Sequence, residues 1–89
     1  MVLLTHEEIA ARIRSATGGY VLGCEQDEHD RLRVVLAVPG ARRHDVARRA
    51  LDDVTEVLRA LDLEAVDLTL LDPDDATVQL KHRLATVTS

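Results

Sequence analysis

Apolar and polar residues alternate most clearly between Arg31 and Val38. There Leu32, Val34, Leu36 and Val38 take every second position against Arg31, Arg33, Val35 and Ala37. A period of two sends successive side chains to opposite sides of a pleated backbone, so this stretch predicts a strand with one apolar face. Residues 20–26 predict a second strand, with Tyr20, Leu22 and Cys24 expected on its inner side. Only Asp27-Glu28-His29-Asp30 lies between the two, a polar turn that makes the pair an antiparallel hairpin. Pro39-Gly40 ends the hairpin. A third strand is expected from about Glu64 to Leu71, with Val66, Leu68 and Leu70 inward.

Elsewhere the pattern lengthens to helical spacing. Thr5-His6-Glu7-Glu8 forms a capping box, in which the Thr5 hydroxyl accepts from the Glu8 backbone N–H. Leu4 and Ile9 would staple that end, Ile9, Ile13 and Ala16 share one face, and Gly18-Gly19 stops the helix. A longer helix is expected from roughly Arg43 to Leu61, with Val46, Ala50, Val54, Val57, Leu58 and Leu61 on one stripe. Its outer face offers Asp45–Arg49, Arg48–Asp52 and Arg49–Asp53 as i,i+4 charge pairs.

Residues 72–87 admit two periods. Val78, Leu80 and Leu84 suit a strand, but His82 interrupts that face. Asp72-Pro73-Asp74-Asp75 reads as an N-cap, a proline at the first helical position and acids in the first turn. Ala76, Leu80, Leu84 and Val87 then share a helical stripe, and a C-terminal helix is the expectation. The 89 residues are thus read as a single α+β domain, a two-layer α/β sandwich in the order α-β-β-α-β with a final helix. A crossover joining parallel second and third strands would be right-handed.

Composition narrows the chemistry. Phe and Trp are absent and Tyr20 is the only aromatic, so the core must be aliphatic and there is no array of rings on which bases could stack. The net charge of −5 disfavours nucleic acid and gives no reason to expect an anionic membrane as partner. That charge is segregated: six acids and no base lie between Asp62 and Asp75, whereas Arg42, Arg43, Arg48 and Arg49 gather around His44. Met1-Val2-Leu3-Leu4-Thr5 lacks a basic leader and no apolar run could span a bilayer, so a cytoplasmic location is expected.

Cys24 is the only cysteine, which excludes an intramolecular disulfide. Its parity with Tyr20 and Leu22 suggests a packed thiol rather than a metal ligand or nucleophile. His6, His29, His44 and His82 fall in no zinc or calcium spacing, and neither Ser15 nor Ser89 resembles an elbow serine. No catalytic, metal or cofactor-binding residues are therefore assigned, and the protein is not expected to be an enzyme. The most pointed local feature is the loop after the hairpin. Gly40, Arg42, Arg43 and His44 there could present backbone N–H groups and positive charge to an anion or a partner, although a simple turn with solvated arginines explains them as well.

From Leu3 to Pro73 the order of elements resembles the PaaD-like iron–sulfur assembly domain family. The stretch Arg33-Val34-Val35-Leu36-Ala37-Val38-Pro39-Gly40-Ala41-Arg42-Arg43-His44-Asp45 looks like that family's strand, Pro-Gly-Cys turn and helix start. Leu71-Asp72-Pro73 falls where the family often has an Asp-Pro after its last strand. Ala41 stands at the position of the family's cysteine, and Thr17-Gly18-Gly19 replaces its acidic turn after the first helix. The resemblance implies a fold of this order and carries no functional residue over.

Three functional readings follow. The first is an accessory or interaction module that binds another protein, as a homodimer or a hetero-complex. Val21, Val35, Ala37 and Leu71 would be its interface, on the sheet side left bare by the helices. The second is a degenerate iron–sulfur assembly-type domain. The third is a KH-like RNA-binding module, for which Gly40 lacks a glycine partner three residues on.

Overall fold

The computed structural model describes residues 5–26, 28, 31–63 and 65–85. Their elements run in the order α1 (His6–Thr17), β1 (Tyr20–Gln26), β2 (Leu32–Ala37), α2 (His44–Ala60), β3 (Ala65–Asp72) and β4 (Asp75–Ala85). The domain is α+β, with two helices laid on one mixed sheet of strand order β1-β2-β3-β4. The expected contact between Leu4 and Ile9, the placement of His29 in the first hairpin turn and the packing of Val87 lie outside the described residues.

Helix α1 begins as its capping box requires, with Glu8 N donating to Thr5 Oγ1 at 3.1 Å. It ends at Gly18, whose φ of +70° is the left-handed conformation that side chains resist and glycine adopts freely. In α2 the apolar stripe is buried at Ala47, Ala50, Val54, Val57 and Leu58, while Val46 and Leu61 pack at its margin. The i,i+4 pairs expected along its outer face do not close. Among the described residues the ion pair formed on α2 is Arg59 to Glu56, at 2.7 Å.

Strands β1 and β2 are antiparallel, β2 and β3 parallel, β3 and β4 antiparallel. The parallel step is the one that needs a crossover, and α2 supplies it. Leu32, Val34 and Leu36 of β2 and Val66, Leu68 and Leu70 of β3 are all buried, and they meet Ile9 and Ile13 of α1 and Val54 and Leu58 of α2. Burying each such side chain contributes about 1.5–3 kcal/mol. This aliphatic layer is the core.

The C-terminal segment departs from expectation: it is not a helix but the long edge strand β4. Asp72-Pro73-Asp74-Asp75 is a turn between strands, with Asp72 opposite Asp75 and Asp74 N donating to Asp72 Oδ1 at 2.9 Å. Aspartate first and proline second suit a β-turn as well as they suit a helix start. The exposed edge of β3 decides between them, because its N–H and C=O groups need partners that a helix would not provide. Leu80 and Leu84 then pack at the core margin, and His82 tolerates the inner parity because an edge strand is only partly covered.

Candidate functional site

With both helices on one side, no described element covers the other side of the sheet, and the strand register orders its side chains into rows. One row is Glu25, Arg33, Asp67 and Arg83, each directly opposite the next. Its charges alternate in sign across the four strands, and Arg83 Nε lies 3.0 Å from Asp67 Oδ1. The next row is Gly23, Val35, Thr69 and Lys81. Together these two rows line a shallow concavity of about 680 Å³. The third row, Tyr20, Ala37, Leu71 and Gln79, is largely apolar.

The apolar end is enlarged by a bulge. The β1–β2 register shifts between Val21 and Gly23, so that Val21 faces Leu36 and Gly23 faces Val35 with Leu22 left over. One extra residue inverts the parity of everything before it. Tyr20 and Leu22, expected inside, are therefore 65 % and 64 % exposed. Val21, expected on the open face, packs at the core margin instead, and Cys24 packs there as expected. Burial pushes the Cys24 thiol up from its ordinary pKa.

Of the four interface residues expected from sequence, Val35 and Leu71 are partly exposed on the open face, Ala37 has the same parity but is only 5 % exposed, and Val21 lies on the other side. Parity counting missed Tyr20 and Leu22. With Ala37, Leu71, Pro73 and Val78 they line an apolar depression of about 340 Å³ at one end of the face. The signal for the bulge was Gly23, an isolated glycine inside a strand pattern.

The loop after β2 is built differently from an open anion cradle. Pro39 and Gly40, the latter at φ +82°, occupy the two central positions of a tight turn closed by Ala41 N to Val38 O at 3.1 Å. A second turn follows, with Arg43 N donating to Gly40 O at 2.9 Å. The carboxylate of Asp72, only 1 % exposed, reaches into this loop from the end of β3. Its Oδ2 accepts from Arg42 N at 3.1 Å, and the Arg42 Nε stands 3.9 Å away.

Asp72 is held below the usual carboxylate range, chiefly by the Asp74 N–H. Burial opposes that shift, while the N–H groups of Arg42 and Gly40 and the Arg42 charge assist it. Two of the donors that suggested an anion site, the N–H groups of Gly40 and Arg42, thus already serve an internal anion. The Arg42 side chain is exposed, Arg43 is the N-cap of α2 without a side-chain capping bond, and His44 opens the helix exposed to solvent. These three share a loop but line neither concavity of the open face.

Ala41, at the position of the resembled family's cysteine, is fully buried. No group of three or more His, Cys, Asp or Glu side chains converges among the described residues, and none of the described helices is long and apolar enough to cross a membrane. The class defined by this geometry is a small α+β domain whose mixed four-stranded sheet is covered on one face and, among the described residues, open on the other. Comparisons with protein-family models, curated proteins and solved structures return no match.

Proposed function

We propose that this chain is a small non-enzymatic accessory or interaction module that binds another protein through the open face of its sheet. The observation that carries the reading is the pair Tyr20 and Leu22, 65 % and 64 % exposed beside Leu71 and Val78 at the apolar end of that face. Large apolar side chains gathered in one place, next to polar rows that fix orientation, are how proteins mark a contact surface. An aromatic residue in a shallow depression is also the side chain that most often dominates binding energy. The alternating charges of Glu25, Arg33, Asp67 and Arg83 supply specificity rather than affinity. Neither the iron–sulfur nor the RNA alternative gains an observation of this kind.

Photo-cross-linking in the source cell tests the reading. A photoreactive amino acid at position 22 is expected to yield a discrete adduct with a protein, whereas the same probe at the exposed helix position 48 should not. Equal, diffuse labelling from both positions would refute an interaction face on the sheet.

A further inference from the structure

We infer that the partner of the open face is a second copy of this chain, docked face to face about a two-fold axis that runs parallel to the strands between β2 and β3. The inference rests on the reading of that face as an interaction surface and identifies what covers it.

The charged row of the open face is complementary to its own reverse. Read from β1 to β4 it is Glu25, Arg33, Asp67, Arg83, or minus, plus, minus, plus. A two-fold axis along the strands turns a second copy over so that its β4 lies above β1 and its β3 above β2. The second row then reads plus, minus, plus, minus above the first. Every charge faces its opposite: Glu25 meets Arg83 of the second copy, and Arg33 meets Asp67 of the second copy. An isologous interface requires a patch complementary to itself in this sense. The property depends on an even number of strands, since reversing a three-stranded row with alternating signs would set like charges together. It therefore exists only because the C-terminal segment is β4.

The apolar row agrees with the same axis. Because the axis runs along the strands, each end of the face meets its own kind. The apolar row containing Ala37 and Leu71 packs on its copy, with Tyr20 and Leu22 shielded at the side. An in-plane axis across the strands would instead bury Arg33 and Asp67 against Ala37 and Leu71, stripping water from charges without setting an opposite charge of the second copy against them. Packing two sheets with nearly aligned strands is also the ordinary geometry of a sandwich. Four strands about 4.8 Å apart and about 20 Å long present only a small patch by the standard of stable interfaces. Association is accordingly expected in the range of tens to hundreds of micromolar.

Charge reversal at the two edges provides the test. Glu25→Arg and Arg83→Glu are made separately, at exposed positions on the two outer strands of the sheet. By sedimentation equilibrium the native chain should approach twice its 9.8 kDa mass as concentration rises. Each variant alone should dissociate at least about tenfold more readily, because symmetry places every reversal in the interface twice. An equimolar mixture of the two should recover the native affinity as a heterodimer. In that mixed pair the arginine introduced at position 25 of one chain faces the glutamate introduced at position 83 of the other. Circular dichroism establishes that each variant is folded. Leu22→Glu, at a position exposed in the single chain, is a second probe and should also leave a monomer.

A native chain that stays monomeric at hundreds of micromolar overturns the second-copy proposal, as does a dimer indifferent to all three substitutions or a mixture that fails to re-associate. If the chain is monomeric while position 22 still cross-links to a different protein, the interaction reading stands and only the identity of the partner falls. Absence of both signals removes both.

Discussion

The two faces of the sheet are made from the same strands, yet they obey different rules. On the covered face Val34, Leu36, Leu68 and Leu70 are at most 1 % exposed and touch two helices. On the open face Arg33, Val35, Asp67 and Thr69 alternate with them along the same backbone; Arg33 is exposed and the other three are partly so. Stability resides on the first face, where apolar area leaves water and packing is tight. The second contributes little to holding the chain together, which leaves its side chains available for recognition. The lesson is one of separation: substitutions should affect folding on one face and association on the other.

The largest break in that pattern is expected in the core. Leu58→Ala removes a fully buried side chain and leaves a cavity, so it should destabilise by about 2–4 kcal/mol. Arg48→Ala, on the exposed side of the same helix, should change stability by less than about 0.5 kcal/mol. Denaturant midpoints for the two, at equal slope, measure the difference.

Asp72 joins the end of β3 to the loop before α2, and a smaller, pH-dependent effect is expected there. Its folded pKa lies below the unfolded value, which for aspartate is about 3.9. Its contribution to stability is therefore complete above that value and is lost as pH falls through the lower folded pKa. Asp75, also lowered by its bonds from the Thr77 hydroxyl and N–H, adds to the same acid window. Asp72→Asn should weaken the fold at neutral pH and flatten, without abolishing, the fall in stability below about pH 4. Paired denaturant titrations at neutral and acid pH give both quantities. An unchanged acid dependence would show that Asp72 does not tie the loop.

The smallest stability effect belongs to the open face. Leu22→Ser should alter the stability of the dilute single chain by no more than about 0.5 kcal/mol, because Leu22 is 64 % exposed and leaves no cavity. The same substitution should lower association. A core-sized loss of stability at Leu22 would erase the distinction between the faces.

The residues that were legible in the sequence share a property: their local pattern had one structural solution. Leu32, Val34 and Leu36 admit only one inward face, and Thr5, Glu8 and Gly18 mark the two ends of a helix unambiguously. Two segments had more than one. Asp72-Pro73 starts a helix or a turn with equal chemistry, and the choice fell to the hydrogen bonds that β3 required along its edge. In β1 strict alternation would have buried Tyr20 and Leu22, but one extra residue beside Gly23 reversed the parity. Both differences fall on the candidate surface. The bulge exposes its most apolar residues, and β4 completes its charge row. In the loop at Gly40 and Arg42, the donors were legible but their acceptor was not, since Asp72 lies thirty positions from Arg42 in sequence.

Tyr20, the only aromatic residue of the chain, reports directly on whether the open face becomes covered. Its fluorescence can be quenched by acrylamide across a protein dilution series. In dilute solution the quenching constant should be close to that of a freely accessible tyrosine, in keeping with 65 % exposure. As the chain associates the constant should fall, with a midpoint matching that of the mass increase, and Leu22→Glu should abolish the fall. A quenching constant that stays unchanged while the mass doubles would contradict the account, because association would then be using some other surface.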